Sequence, residues 1–245
     1  MNKFTGLVRR CIEDYNMIGD GETIAVGVSG GKDSLALLCA LANLRGYYTK
    51  RFELHAVTLD MGLDSMDFSP IGKLCEELDV PFTLRRKEIA RVIFQDRREK
   101  NPCALCAKMR RGALNDLITE LGIKKLALAH SYDDAVETFL LSLLYEGRVS
   151  CFRPVTYMSR SDTTQIRPML YAGEDTVINL VQKHNLPVVQ NPCPMNGVSK
   201  REEIKTLIKT LGMTYPDLKA KVFGAMQRLP LEGWEPDNYS RRPLP

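Results

Sequence analysis

Few things are missing from this 245-residue chain, but each absence narrows what it can be. No apolar run approaches the roughly 20 residues needed to cross a bilayer, which excludes a membrane-spanning chain. Met1 to Asp20 lacks the apolar core and small-residue cleavage site of a secretory signal, and its alternation of charged residues with Phe4, Leu7, Val8, Cys11, Ile12 and Tyr15 predicts an amphipathic helix. There is no internal repeat and no low-complexity tract, which excludes solenoids and disordered linkers, and there is no second C-x-x-C pair to complete the four ligands a structural zinc site wants. The expected location is the cytoplasm.

What is present is an ordinary globular composition, 44% hydrophobic and 26% charged, enough for one large core. The seven cysteines are odd in number and lie mostly in helical or loop-helix contexts, unlike a secreted disulfide framework. Cys11, Cys39 and Cys75 sit among apolar residues at helical spacing and read as small buried hydrophobes, while Cys151 fits either group.

The net charge of +4 is unevenly spread. From Arg85 to Arg111 there are ten Lys or Arg against Glu88, Asp96 and Glu99, while the rest of the chain carries 24 basic and 27 acidic residues. Such a concentrated stretch is the footprint of a phosphate-backbone grip, or else a solvated helix face.

Strand and helix patterns alternate along the chain. Thr23–Val28, Phe52–Leu59, Val80–Leu84 and Lys125–Ala129 are predicted strands, with Leu186–Val189 a candidate fifth. Helices are predicted over Asp33–Leu44, Ile71–Leu78, Met109–Leu121 ending at Gly122, and from Asp133 onward. This order implies an α/β fold, a Rossmann-like parallel sheet with helices on both faces. The expected division is an N-terminal helix over 1–20, a catalytic domain over 21–228, and an extended, proline-rich tail over 229–245.

Between the first strand and first helix lies Ser29-Gly30-Gly31-Lys32-Asp33-Ser34. Two glycines let backbone N–H groups approach phosphate oxygens, and the helix start adds the positive end of its dipole. Lys32 supplies a cation, Ser29 and Ser34 hydroxyls, and Asp33 a carboxylate for Mg²⁺. The spacing fits neither a Walker A loop nor a dinucleotide fingerprint. At the ends of neighbouring strands stand Leu59-Asp60 and Ala129-His130-Ser-Tyr-Asp133-Asp134, on the edge where open parallel sheets bind ligands.

Cys103-Ala-Leu-Cys106 follows Pro102 inside the basic segment, and Cys193 stands between two prolines in Asn191-Pro-Cys-Pro. Three thiolates on one sheet edge would suit a metal, an iron–sulfur cluster with one open iron, or thiol chemistry, and the residues alone do not separate these.

The hexapeptide SGGKDS resembles the PP-loop of the ATP pyrophosphatase superfamily, whose members split ATP between the α and β phosphates and adenylate a substrate. CALCAKMRRGAL, LALAHSYDDAVET, IRPMLY and CPMNGVSKR follow in that order, and together the motifs resemble the tRNA 2-thiocytidine synthetase family of cluster-dependent tRNA thiolases over roughly Gly21 to Met226. Two departures are Ala129 in place of the family's usual glycine and CPMNG in place of CGSQ. The zinc ribbons of the thiouridine branch are missing, which favours the thiocytidine-like branch.

The resemblance implies an ATP-dependent tRNA sulfurtransferase that adenylates a pyrimidine C2 oxygen, that of cytidine, and replaces it with sulfur. It implies ATP held by Val28, Ser29, Gly30, Gly31, Lys32, Asp33, Ser34, Leu59, Ala129 and Asp134, and Mg²⁺ on Asp33 and Asp134. It further implies a [4Fe–4S] cluster on Cys103, Cys106 and Cys193, with Lys32 and Asp134 catalytic and tRNA held near Arg110 and Arg111. His130 is either part of this site or a structural histidine. Expected partners are tRNA, a sulfur donor such as a cysteine desulfurase or free sulfide, and a second copy of the chain. The rival expectations are a cysteine persulfide without a cluster, a tRNA uridine or small-molecule substrate, and a nonenzymatic zinc-stapled RNA-binding module.

Overall fold

The computed structural model describes residues 2–63, 66–97, 102–195, 197 and 200–228. The expected tail over 229–245 and the basic residues Arg98 and Lys100 lie outside these. The first half of the chain forms α1 (Asn2–Asp14), β1 (Glu22–Gly27), α2 (Lys32–Arg45), β2 (Phe52–Asp60), α3 (Ser69–Glu77) and β3 (Phe82–Arg86). A short α4 (Ile89–Arg91) runs into a π-helical turn over Val92–Asp96, followed by α5 (Pro102–Glu120), β4 (Lys125–Ala127) and α6 (Tyr132–Leu141). The remainder is a β5 (Val155–Met158) and β6 (Thr163–Ile166) hairpin and three helices, α7 (Glu174–Lys183), α8 (Lys200–Thr214) and α9 (Leu218–Arg228).

The six strands form one sheet in the order β3-β2-β1-β4-β6-β5, in which only the β5–β6 pair is antiparallel. The chain builds outward from β1 to β3 and then crosses to β4 on the other side, so the switch point, where such sheets open a crevice, lies past the ends of β1 and β4.

Ile24, Ala25 and Val26 are wholly buried because both sheet faces are covered. On one face α5 sets Leu117 and Ile118 against Ala25, Val57 and Leu126. On the other lies the main core, where α2 buries Leu35, Leu37, Leu38, Leu41 and Leu44. The amphipathic N-terminal helix joins this core: Phe4, Val8, Cys11 and Ile12 form one buried stripe on α1. Phe223 and Met226 of α9 seal the same core, so the C-terminal helices close back over its start.

Most predicted elements occupy their expected places, with two corrections. Leu186–Val189 is not a strand; Pro187 has no N–H to donate, and the segment turns tightly, with the Val188 N–H donating to the Leu186 carbonyl at 2.9 Å. The neighbour of β4 is β6, whose polar Thr163, Thr164 and Gln165 hid a strand that is buried at three of its four positions. The helix expected from Met109 begins a full two turns earlier, at Pro102, with the proline in its first turn where no N–H is needed.

Candidate active site

The loop after β1 is held rigidly from beneath. The Val28 N–H donates to the Val57 carbonyl at 2.8 Å, and the buried Thr58 hydroxyl donates to the Val28 carbonyl at 2.6 Å. Gly30 then adopts φ +87°, and a Cβ there would stand 2.9 Å from the Val189 Cβ, so both the turn and the approach demand glycine. The Ser34 hydroxyl closes the loop, accepting from the Ser29 N–H at 3.1 Å and donating to the Gly31 carbonyl at 2.9 Å. No side chain caps the first turn of α2, so its N–H groups remain an anion site.

Lys32 Nζ lies 3.0 Å from both Asp33 Oδ2 and Glu174 Oε1. Burial alone would lower its pKa, but the hydrogen bonds it donates to the two carboxylates overcome this and raise the pKa, so the cation is secured. Burial raises the pKa of Asp33, Lys32 opposes this, and the nearby Asp134 and Glu174 reinforce it. Asp134 is positioned by a capping box: its Oδ2 accepts from the Ser131 N–H at 2.8 Å while its own N–H donates to Ser131 Oγ at 3.2 Å. Among the described residues no group of three or more His, Cys, Asp or Glu forms a ligand set for a metal ion. A Mg²⁺ carried in on phosphates needs only one or two carboxylates, and Asp33 and Asp134 line the same cavity.

That cavity, ≈ 300 Å³, opens at the switch point and is walled by Val28, Ser29, Leu59, Ala129, His130 and Arg110 among others. A second cavity of ≈ 460 Å³ adjoins it and shares Arg110, Leu114, Leu128 and His130 with it. Arg111, Phe152, Gln165, Arg167 and Arg201 face the second cavity. His130 stands in the partition, its ring 4.7 Å from that of Phe152. Burial, and after it Arg167, pushes its pKa down to about 4, so the imidazole is neutral at pH 7.

The seven cysteines separate as their contexts suggested. Cys11, Cys39 and Cys75 are buried. Cys151 also belongs with the structural thiols: burial pushes it up to about 12, and its Sγ donates to the Ala135 carbonyl at 3.5 Å. Cys103 is exposed, Cys106 and Cys193 half-buried, and none of the seven is in a disulfide. The Cys106 thiol is raised first by burial, with Arg110 drawing it down and Cys193 and Cys103 both pushing it up, which places the three within electrostatic reach of one another. Cys106 Sγ also lies 3.9 Å from the Met61 sulfur, two residues beyond Leu59 in the first cavity.

Cys193 reaches this edge by a route different from the expected one. Not a strand but a single bond brings it there: the Val189 N–H donates to the Gly30 carbonyl at 2.9 Å, and four residues later Asn191 Oδ1 accepts from the Cys193 N–H at 3.0 Å. Glu174, Gln165, Arg167 and Arg201 were not singled out from sequence. The signal available was slight, consisting of polar residues alternating along β6 and a basic pair in the final motif.

The PP-loop domain profile matches residues 5–211. The tRNA-cytidine(32) 2-sulfurtransferase of Syntrophotalea carbinolica is 36% identical over 227 residues, covering 91% of this chain and 88% of that protein. The protein of the same name from Geobacter sulfurreducens is 35% identical over 227 residues, with the same coverage of 91% and 88%. Among solved structures, the U34-tRNA thiolase NcsA from Methanococcus maripaludis with its [4Fe-4S] cluster superposes with a TM-score of 0.78 at 24% identity, over 95% of this chain and 80% of that one, and so shares its fold.

Proposed function

Because this chain belongs to the PP-loop domain family and, within it, to the tRNA-cytidine 2-sulfurtransferases, we propose that it thiolates cytidine 32 of tRNA by adenylating the C2 oxygen and exchanging it for sulfur. One observation carries this reading: the phosphate-binding loop and the three thiols open on one sheet edge, joined by the Val189–Gly30 bond on one side and by Leu59 and Met61 on the other.

ATP lies with its phosphates along residues 29 to 34 and its adenine against Val28, Leu59 and Ala129. The Lys32 ammonium balances charge that develops as the cytosine O2 attacks the α-phosphorus and pyrophosphate departs; Asp33 and Asp134 would hold a Mg²⁺ that, when bound, would neutralise further phosphate charge. The product is a C2–O–AMP linkage, in which AMP is a good leaving group. Sulfur forms the new bond to C2 as the C–O bond to AMP breaks, with no net oxidation or reduction.

The donor set fits an iron–sulfur centre: three thiols on one edge, with Cys103 exposed and Cys106 and Cys193 half-buried. A [4Fe–4S] cluster bound by Cys103, Cys106 and Cys193 would supply sulfide-level sulfur at an open iron. The sulfur itself comes from a cysteine desulfurase or free sulfide. Arg110, Arg111 and the basic segment hold the tRNA, and the working form is a homodimer.

The test is anaerobic purification followed by iron analysis, a visible spectrum and nucleoside mass spectrometry of tRNA from cells lacking the protein. The expected results are a broad iron–sulfur absorption lost in Cys193→Ala, and 2-thiocytidine missing from the tRNA. Full thiolation by Cys193→Ala, or by iron-free protein, overturns the three-thiolate reading in favour of a persulfide.

A further inference from the structure

The second cavity lies beyond the glycine-rich loop, none of whose residues lines it. Its floor is the β4–β6 face: Leu126 pairs with Gln165, and the Leu128 N–H donates to the Ile166 carbonyl at 2.9 Å. Residues two apart on a strand share a face, so Gln165 and Arg167 stand together on it. Its roof is the first half of α5, through Arg110, Arg111 and Leu114.

Two features show that something is needed here. His130 Nδ1 and Arg167 Nε are buried with no hydrogen-bond partner among the described residues, a costly arrangement unless an occupant supplies one. The Arg167 guanidinium lies 5.0 Å over the Phe152 ring, and the His130 ring lies 4.7 Å from Phe152 at a tilt of 36°, so two rings and a guanidinium line one side of the cavity. A bare phosphate would leave this wall and Leu114 and Leu128 facing water, whereas a neutral base would leave Arg167, which has no carboxylate partner among the described residues, uncompensated, Arg201 being already paired with Glu137 and Asp134. A nucleotide within a polynucleotide offers both a flat apolar ring and a flanking anion.

Gln165 gives the cavity a polarity. It is 3% exposed, and its amide nitrogen donates to Asn115 Oδ1 at 3.3 Å, so the carbonyl oxygen is the end presented to the cavity. A fixed acceptor at that depth selects an amino group.

We infer that the second cavity receives the everted target nucleotide, with its O2 edge at the His130 partition facing the ATP cavity and its 4-amino group donating to Gln165 Oε1. Arg201 and Arg167 lie against its flanking phosphate. Gln165 is thus the residue that chooses cytidine over uridine, which has a carbonyl at that position. The inference rests on the proposed function and adds where the base lies and what reads it.

The test uses the full chain with its metal content intact and two tRNAs, one carrying cytidine at the target position and one carrying 2-pyrimidinone, which lacks only the 4-amino group. The wild-type protein is expected to prefer cytidine in kcat/KM by about 10- to 100-fold, the range for a buried hydrogen bond left unmade. Gln165→Leu is expected to bring that ratio close to one with ATP affinity unchanged. Equal use of both tRNAs by the wild type, or a preference retained in Gln165→Leu, overturns the assignment. If the variant does not fold, 5-iodocytidine, which keeps the 4-amino group, is placed at the target position in the wild-type complex and irradiated without ATP. Cross-links on Phe152 or β6 support the cavity, and cross-links elsewhere overturn it. A wild type that thiolates neither tRNA overturns the proposed function itself, a result distinct from loss of the preference alone.

Discussion

The Gly30 carbonyl accepts a 2.9 Å hydrogen bond from the Val189 N–H, while the space where a Gly30 Cβ would sit is filled by the Val189 side chain 2.9 Å away. The glycine-rich loop after β1 and the loop that carries Cys193 are therefore one packed unit. Gly30→Ala both strains a φ of +87° and pushes Val189 away. The expected cost is about 1–3 kcal/mol, or a melting temperature lower by roughly 3–8 °C. Differential scanning fluorimetry measures the first effect, and reduced iron content beside reduced ATP binding shows that both loops have moved.

Lys32 is held by two carboxylates and has no packing role in the core. Lys32→Met is therefore expected to leave thermal stability within about 0.5 kcal/mol of wild type, as for a substitution away from the core. The same change should slow tRNA-dependent pyrophosphate release by about 10²- to 10³-fold, the usual effect of losing one charge-stabilising donor. A release assay with saturating ATP distinguishes the two; unchanged release would remove Lys32 from the chemistry.

His130 makes stability depend on pH. Arg167, Arg201 and Arg110 face it and disfavour its charged form, Asp134 favours it, and burial is the largest effect, so its folded pKa of about 4 lies below the unfolded 6.5. Between those values the unfolded chain takes up a proton that the folded chain refuses. Stability contributed by neutral His130 is thus complete above pH 6.5 and is lost as pH falls toward 4, by the order of 2–3 kcal/mol. Urea unfolding at pH 7 and pH 5 should show a smaller difference in His130→Phe than in wild type, and an identical slope in both would refute the assignment.

Arg111 is exposed on α5 beside the second cavity. If it meets tRNA phosphate, Arg111→Ala weakens binding across tRNA sequences and reduces the slope of log affinity against log salt by about 1. Filter binding over a salt series reads both, and a changed sequence preference with an unchanged slope would instead make Arg111 a base contact.

How much of this was legible depends on range. SGGKDS, the helix opening at Asp133-Asp134 and the C-x-x-C pair are local patterns, and each stands where its spacing placed it: at the loop after β1, in the first turn of α6 and at the start of α5. The β5–β6 hairpin was not legible, because Gln165 and Arg167 are buried by the cavity they form rather than by apolar character. Leu186–Val189 misled for the opposite reason, since Leu186 and Val189 pack on the core while Pro187 denies the backbone a ladder. Glu174's approach to Lys32 spans 142 positions of chain and left no local trace.

Asp133 faces away from both cavities, yet its Oδ2 accepts from the Glu174 N–H at 2.7 Å and its Oδ1 from Lys219 Nζ at 2.5 Å. Three helix beginnings, those of α6, α7 and α9, are thereby pinned at a single carboxylate, and one of them delivers the counter-ion of Lys32. A disturbance at Lys219 is thus three bonded steps, through Asp133 and Glu174, from the Lys32 ammonium group, so the start of α9 is mechanically tied to the glycine-rich loop after β1.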